Sequence, residues 1–305
     1  MQNQDFDKTK ALTFSSIMSA ISIVLILITF FSGDIGLFLI LILPLCASLV
    51  AVKVNFKYSL IYFLSTFLIS CIDFQIALFV VIPSLFSGIV FGKLIKLYIQ
   101  GYYIIIIDAI CLLILQIAST YLVNAIYQID IIKTTSQILK LNEEAFENGY
   151  FVFLFMLSLI ESSLSYLIIT SELKKLDYVF NEKKNHFIPT IIIESILILS
   201  PIAVMFFSQK IGLLLVGISL YFGVVLAYYN FSFYQRKKIL ILQLPLYFVS
   251  FVGIMIMFGY IPLSYRPYLF LLPLFSQVLV SLYIVFYQKV IKKNKIIPTL
   301  FDKID

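Results

Sequence analysis

Ala11-Leu12-Thr13-Phe14-Ser15-Ser16-Ile17-Met18-Ser19-Ala20-Ile21 opens a stretch that continues through Ser22-Ile23-Val24-Leu25-Ile26-Leu27-Ile28-Thr29-Phe30-Phe31 without a charged residue. About 20 such residues wound into an α-helix cross the ~30 Å hydrocarbon layer of a bilayer. A lipid-facing barrel strand would be shorter and would alternate apolar with polar residues, whereas Ile21 to Phe31 and Ile104 to Ile107 do not alternate. The run ends at Ser32-Gly33-Asp34 without a small-x-small cleavage signature, so it reads as a first membrane helix rather than a removable signal.

Comparable stretches recur to the end of the chain. They lie at Ile35 to Ala51, Tyr58 to Ile72, Phe74 to Gly92, Tyr102 to Asn124, Tyr150 to Ser171, Ile188 to Ser208, Ile211 to Ser232, Ile239 to Gly259 and Tyr268 to Gln288. The predicted fold is therefore all-α, a polytopic transmembrane helical bundle of about ten spans. The second and third stretches are short enough to be re-entrant or embedded in protein. Composition agrees: of 305 residues 62% are hydrophobic and 12% charged, about half the charged share of a soluble domain. Three parts are expected, an N-terminal bundle over 1–171, a loop over 172–187 and a four-helix bundle over 188–305.

The net charge of +6 does not point to nucleic acid, because the basic residues sit in short clusters between apolar stretches. Lys and Arg collect on the cytoplasmic side of membrane proteins. With the N-terminus inside, alternate segments hold all 22 basic residues except Lys133, Lys140, Lys210 and Arg266, which predicts that both termini are cytoplasmic. The long outer segment, Ala125 to Gly149, carries Ile129, Ile131, Ile132, Ile138 and Leu139 at spacings that suit either an amphipathic surface helix or a solvated loop. Tyr58, Tyr102, Tyr150 and Tyr268 stand near proposed span ends, where they would take the place of the absent Trp.

Ionisable side chains at membrane depth cost about 2.5–3.5 kcal/mol on insertion scales and are functional candidates by default. Asp108, Glu161 and Glu194 are such residues, and no Lys or Arg lies in their stretches. At ~1.5 Å per residue Glu161 falls near the midplane and the other two roughly 9 Å in from the cytoplasmic face. Two readings stay open: protonated carboxyls hydrogen-bonded to neighbours such as Ser162, Ser163, Ser165 and Gln116, or sites for a proton, a cation or a cationic solute. Asp34 and Asp73, in tight outer turns, suit helix capping or the lining of an entrance.

Small residues at four-residue spacing let membrane helices approach closely. Ser15 and Ser19 form one such row with Ala11, Ser16 and Ala20 the next, and Ser84, Gly88 and Gly92 a third. Packing within the chain and docking of another membrane protein both fit this pattern. Catalytic signals are poor. His186 is the single histidine, which excludes zinc chemistry of the HExxH type and a Ser-His-Asp triad, and Gly92-Lys93-Leu94 lacks the glycine spacing and hydroxyl of a nucleotide loop. Cys46, Cys71 and Cys111 have no metal-ligand spacing and read as small apolar residues. No enzymatic activity, cofactor or metal is expected.

The first part of the chain resembles the YybS-like family of bacterial membrane proteins. The resemblance rests on Lys10-Ala11-Leu12-Thr13-Phe14, the interruption Leu41-Ile42-Leu43-Pro44, the basic turn from Lys53 to Lys57, and Pro83, Ser84, Gly88 and Gly92 ahead of Lys93. It covers roughly Lys10 to Asn124. That family is in turn similar to the substrate-binding components of energy-coupling-factor vitamin transporters. The resemblance implies a bacterial cell membrane protein that takes a small solute from outside and works with a transmembrane coupling subunit and two ATPases. In such components an Ala-x-x-x-Ala row on the first helix docks the coupling subunit, which maps here to Ser16-Ile17-Met18-Ser19-Ala20 and its neighbour Ser15. Ser16 stands where that pattern has Ala. Those components have about six helices, so the last four stretches are extra. The alternative is a membrane scaffold or assembly factor that binds other membrane proteins.

Overall fold

The computed structural model describes residues 7–32, 42–176, 178, 187–233 and 237–293. Among them every regular element is helical. In order these are α1 (Lys8–Ser32), α2 (Leu43–Lys53), α3 (Phe56–Ser70), α4 (Phe74–Ile76), α5 (Ile82–Lys96), α6 (Gly101–Tyr127), α7 (Ile131–Ile138), α8 (Glu143–Lys175), α9 (Phe187–Val204), α10 (Gln209–Phe233), α11 (Lys237–Phe258) and α12 (Leu271–Lys293). A π-turn over Ala77–Val81 joins α4 to α5, and a 3₁₀ segment, Leu263–Phe270, precedes α12.

Six helical segments are long and apolar enough to cross a membrane: Lys8–Ser32, Gly101–Tyr127, Glu143–Lys175, Phe187–Val204, Gln209–Asn230 and Tyr265–Phe286. Three of the other expected spans contain the shorter apolar helices Leu43–Lys53, Phe56–Ser70 and Gln243–Phe258. The first of these is 11 residues long, and residues 35–41 of the expected span lie outside the described residues. The remaining expected span, Phe74 to Gly92, lies within the run Phe74 to Lys96, helical throughout but widened at the π-turn. The segment from Ala125 to Gly149 is divided: α6 continues into it, α7 occupies its middle, and α8 begins at Glu143. Ile129, Ile138 and Leu139 are exposed there.

The chain divides into two compact units, one of residues Met1–Ile131 and Leu154–Glu182, the other of Ile132–Phe153 and Lys183–Asp305. Helix α8 thus changes unit within its length, and the segment from Ile132 groups with the C-terminal helices. Most of the expected loop over 172–187, His186 included, lies outside the described residues.

In the first unit the tightest pairing is α2 on α5. A Cβ on Gly92 would lie 2.6 Å from both Ala51 Cβ and the Ser48 carbonyl oxygen, and one on Gly88 would be 2.5 Å from Ala47 Cβ and closer still to the Pro44 carbonyl. Gly88 and Gly92 therefore pack within the chain, against the small-residue face Pro44, Ala47, Ser48 and Ala51, and Ser84 of the same row is buried. Lys93 Nζ donates to the Val54 carbonyl at 3.0 Å, satisfying an acceptor just past the end of α2. Helix α1 is held to α3 by hydroxyls: Ser22 and Tyr62 at 2.7 Å, and Ser19 with Ser65 and Thr66 at 2.8 and 3.1 Å. Bonds of this kind between membrane helices average about 0.6 kcal/mol. Around them Ala11, Met18, Cys46, Val50, Val81 and Leu85 form one core cluster. Cys46 is buried as expected, whereas Cys71 is exposed because it ends α3.

The π-turn has a local cause. Ile82 N–H reaches back to the Ala77 carbonyl, a five-residue step. The next bond of that series would run from residue 83 to the Leu78 carbonyl, but Pro83 has no N–H. Ser119 of α6 supplies the missing donor, its hydroxyl lying 3.4 Å from Leu78 O.

In the second unit α10 packs on α9 and α12, and α12 on α11. Lys210, at the start of α10, donates to Glu147 Oε1 at 2.7 Å. Arg266 lies 4.4 Å from the ring centre of Phe258, and its Nε donates to the Ile261 carbonyl.

Candidate functional site

Helix α6 carries Asp108 on its buried face together with Ile104, Leu112 and Ser119, the spacing of one helical stripe. The carboxyl is fully buried. Its Oδ2 accepts a hydrogen bond from Ser87 Oγ of α5 at 2.9 Å, and its Oδ1 has no partner. Across from it α8 presents Glu161 and Ser162, both near enough to Asp108 to interact with it electrostatically or by hydrogen bonding. Ser162 gives its proton to the Ile105 carbonyl at 2.8 Å. Glu161 is half-buried. Gln116, a candidate partner for these acids, bonds instead to Ser158 at 3.1 Å, one turn of α8 away. Ser165, one turn past Glu161, is buried with an unpartnered hydroxyl.

Asp108 and Glu161 lie in apolar stretches without Lys or Arg, the bases of α8 being Lys174 and Lys175 in its last turn. The hydrogen-bonding neighbours of Asp108 are hydroxyls. A hydroxyl donates to a carboxylate and accepts from a carboxylic acid, so it serves either protonation state, unlike an amide N–H or an ammonium. Ser87 therefore suits Asp108 in either protonation state.

Glu194 belongs to the second unit and has its own partner. It is fully buried on the α9 stripe Phe187, Thr190, Ile191, Ile198 and Pro201. Ser219 of α10 donates to its Oε1 at 3.2 Å, and Oε2 has no partner. Asp73 caps the run that begins at Phe74: Ile76 N–H donates to its Oδ1 at 3.1 Å. Asp34 lies outside the described residues.

Of the first helix's small residues, Ser15 and Ser19 are buried inside the first unit, whereas Ser16 and Ala20 are exposed. Sequence reasoning did not single out Ser87, although a hydroxyl three residues after Ser84 in a helix with a glycine row was a signal for it. Gln243, Tyr247, Gln277, Asn230 and Ser281, which join polar groups across the second unit, were also missed.

These features define a multi-pass α-helical integral membrane protein that keeps acids inside its helix packing. Residues 20–151, a little under half of the chain, match the family described as "Predicted membrane protein (DUF2232)". The chain is similar to that membrane-protein family from α1 to the start of α8, a stretch that holds Asp108 and the glycine row and ends before Glu161. No curated protein and no solved structure matches the chain.

Proposed function

We propose that the chain is a membrane transport component for a small solute, without a catalytic step of its own, that works with partner subunits. The observation that carries this reading is Asp108, fully buried on α6 with Ser87 as hydroxyl donor and one carboxyl oxygen unpartnered, with Glu161 of α8 in its neighbourhood. A purely structural carboxyl would be expected to have both oxygens satisfied, since an unpartnered buried one costs about 1–3 kcal/mol. In this reading the resemblance to energy-coupling-factor components supplies the partners, a transmembrane coupling subunit and ATPases. The bundle crosses the membrane about ten times with both termini in the cytoplasm, the short helices α2 and α3 being completed by their neighbours.

The docking edge is assigned to Ser16 and Ala20, one turn apart on the exposed side of α1. Ser15 and Ser19 are engaged inside the unit. Ser16→Leu and Ala20→Leu together are expected to abolish recovery of the coupling subunit and ATPases when the protein is purified from its native membrane, with its thermal stability unchanged. Recovery of other membrane proteins and no ATPase would favour a scaffold, and unchanged ATPase recovery would remove the edge from the interface.

Orientation has its own test. Reporters fused after Lys184, Lys238 and Lys295 should read cytoplasm, and one placed within Thr134 to Asn148 should read the outer side, following the partition of basic residues. An outer signal at any of the first three overturns the ten-span arrangement.

A further inference from the structure

The second unit holds a polar seam in helices that are otherwise apolar. Next to the Glu194 carboxyl on α10 stands Gly223, where a Cβ would lie 3.6 Å from Oε1 and would strike Leu274 Cδ2 of α12. The Gly223 carbonyl accepts from Gln277 Nε2 of α12 at 2.7 Å, and Gln277 Oε1 accepts from the Tyr247 hydroxyl of α11 at 2.8 Å. Gln243 Nε2 donates to that hydroxyl at 3.2 Å. Further along, the Asn230 amide and the Ser281 hydroxyl bond to each other. Glu194 Oε2 is the one atom of those named in this seam that has no hydrogen-bond partner, and Glu194 is the one carboxyl among them.

The surroundings show what it can hold. Among the described residues no group of three His, Cys, Asp or Glu side chains stands ready for a metal, and Glu194 is the one ionisable residue of α9. On α10, Lys210 is engaged by Glu147 at the far end, and Tyr221, Tyr228 and Tyr229 are the other titratable groups. Helix α12 carries Tyr283 and Tyr287 and no charge before Lys289. No base therefore faces the carboxyl from either helix packed most closely on α9. Glu194 and Ser219 are both fully buried. A proton needs no coordination sphere beyond one oxygen and a neighbouring hydroxyl. Ser219 accommodates both states by turning its hydrogen, as donor to the carboxylate or acceptor from the acid.

We propose that Glu194 and Ser219 form a proton-exchange site in the second unit, separate from the Asp108 and Glu161 pair. Loading transfers one proton from hydronium to the carboxylate and leaves water. Unloading reverses it, and no electrons move. The second unit then contributes proton coupling to the membrane machinery rather than serving as inert packing.

The test is infrared difference spectroscopy of the purified full chain between acidic and alkaline buffers. The expected result is a protonated-carboxyl band that converts to carboxylate bands. Glu194→Gln removes one component, and the Asp108 and Glu161 signals persist. Ser219→Ala keeps that component but displaces its frequency and moves its midpoint by roughly one pH unit, the equivalent of one hydrogen bond. A spectrum unchanged by Glu194→Gln overturns the proposal, as does a band that never titrates. Where Glu194→Gln fails to fold, Ser219→Ala decides, and an unaltered midpoint overturns the site. Since the first unit's acids report separately, loss of their signal bears only on the solute site.

Discussion

Gly88→Leu is expected to prevent the first unit from folding, and Gly88→Ala to lower its stability by ~3 kcal/mol, at the upper end of what overpacking costs. The added carbon of Gly88→Ala meets the Pro44 carbonyl and Ala47 Cβ, the second at 2.5 Å. Backbone gives less readily than the tip of a flexible side chain, so α2 and α5 must separate. They hold Val50, Val81 and Leu85 together in the core, and separation opens that cluster as well. Thermal unfolding of the purified protein in detergent measures the effect. Gly253→Ala is the control: nothing lies within 4 Å of the new carbon, and alanine is the better helix former by about 0.5–1 kcal/mol. That variant should be as stable as the parent or slightly more so. Equal losses at the two glycines would contradict the packing of α2 on α5.

The second large effect is expected at the acids of the first unit. Asp108→Asn and Glu161→Gln each keep the side-chain shape and remove the capacity for negative charge. Accumulation of the transported solute, found by comparing the small-molecule content of cells with and without the chain, should fall roughly 10- to 100-fold. That corresponds to losing one charge-assisted hydrogen bond of about 1.5–3 kcal/mol. Stability should hold, because neither acid has a basic partner to orphan. Ser87→Ala leaves both carboxyls in place but removes the donor 2.9 Å from Asp108 Oδ2, and an intermediate loss follows. Wild-type accumulation by Glu161→Gln would remove that residue from the site. Wild-type accumulation by Asp108→Asn as well would return both acids to a structural role.

The helical membrane fold was legible because hydrocarbon thickness imposes a length that composition records directly, as in Ala11 to Phe31 and Tyr102 to Asn124. At Ile35 to Ala51 the helix described is Leu43–Lys53, with residues 35–41 outside the described residues, and at Tyr58 to Ile72 it is Phe56–Ser70. Apolar residues buried in protein and apolar residues facing lipid look alike in a sequence. The glycine row was legible as a close-packing face, but its partner, Pro44 to Ala51, was not, since spacing within one helix says nothing about which helix fills the gap. Asp108, Glu161 and Glu194 stood out because charge at depth is expensive. That the first two share a neighbourhood while Glu194 pairs with Ser219 depends on tertiary packing between residues far apart in the chain. The Gln277 and Tyr247 connection was hidden for a related reason, as one polar residue in an apolar helix carries no mark of its partner.

The widened turn at Ala77–Val81 sets the angular phase of everything after it. One residue more than a regular α-turn rotates the rest of that helix by about 100°. Gly88 and Gly92 face α2 only because of this offset, and Ser119 on α6 stabilises it by reaching the Leu78 carbonyl. Chain length in this segment is accordingly under tighter constraint than residue identity. A one-residue deletion that restored ordinary winding would leave every side chain of α5 chemically intact and turn its glycines away from α2. Lineages carrying this architecture should accumulate substitutions between residues 77 and 81 far more readily than changes in the number of residues there.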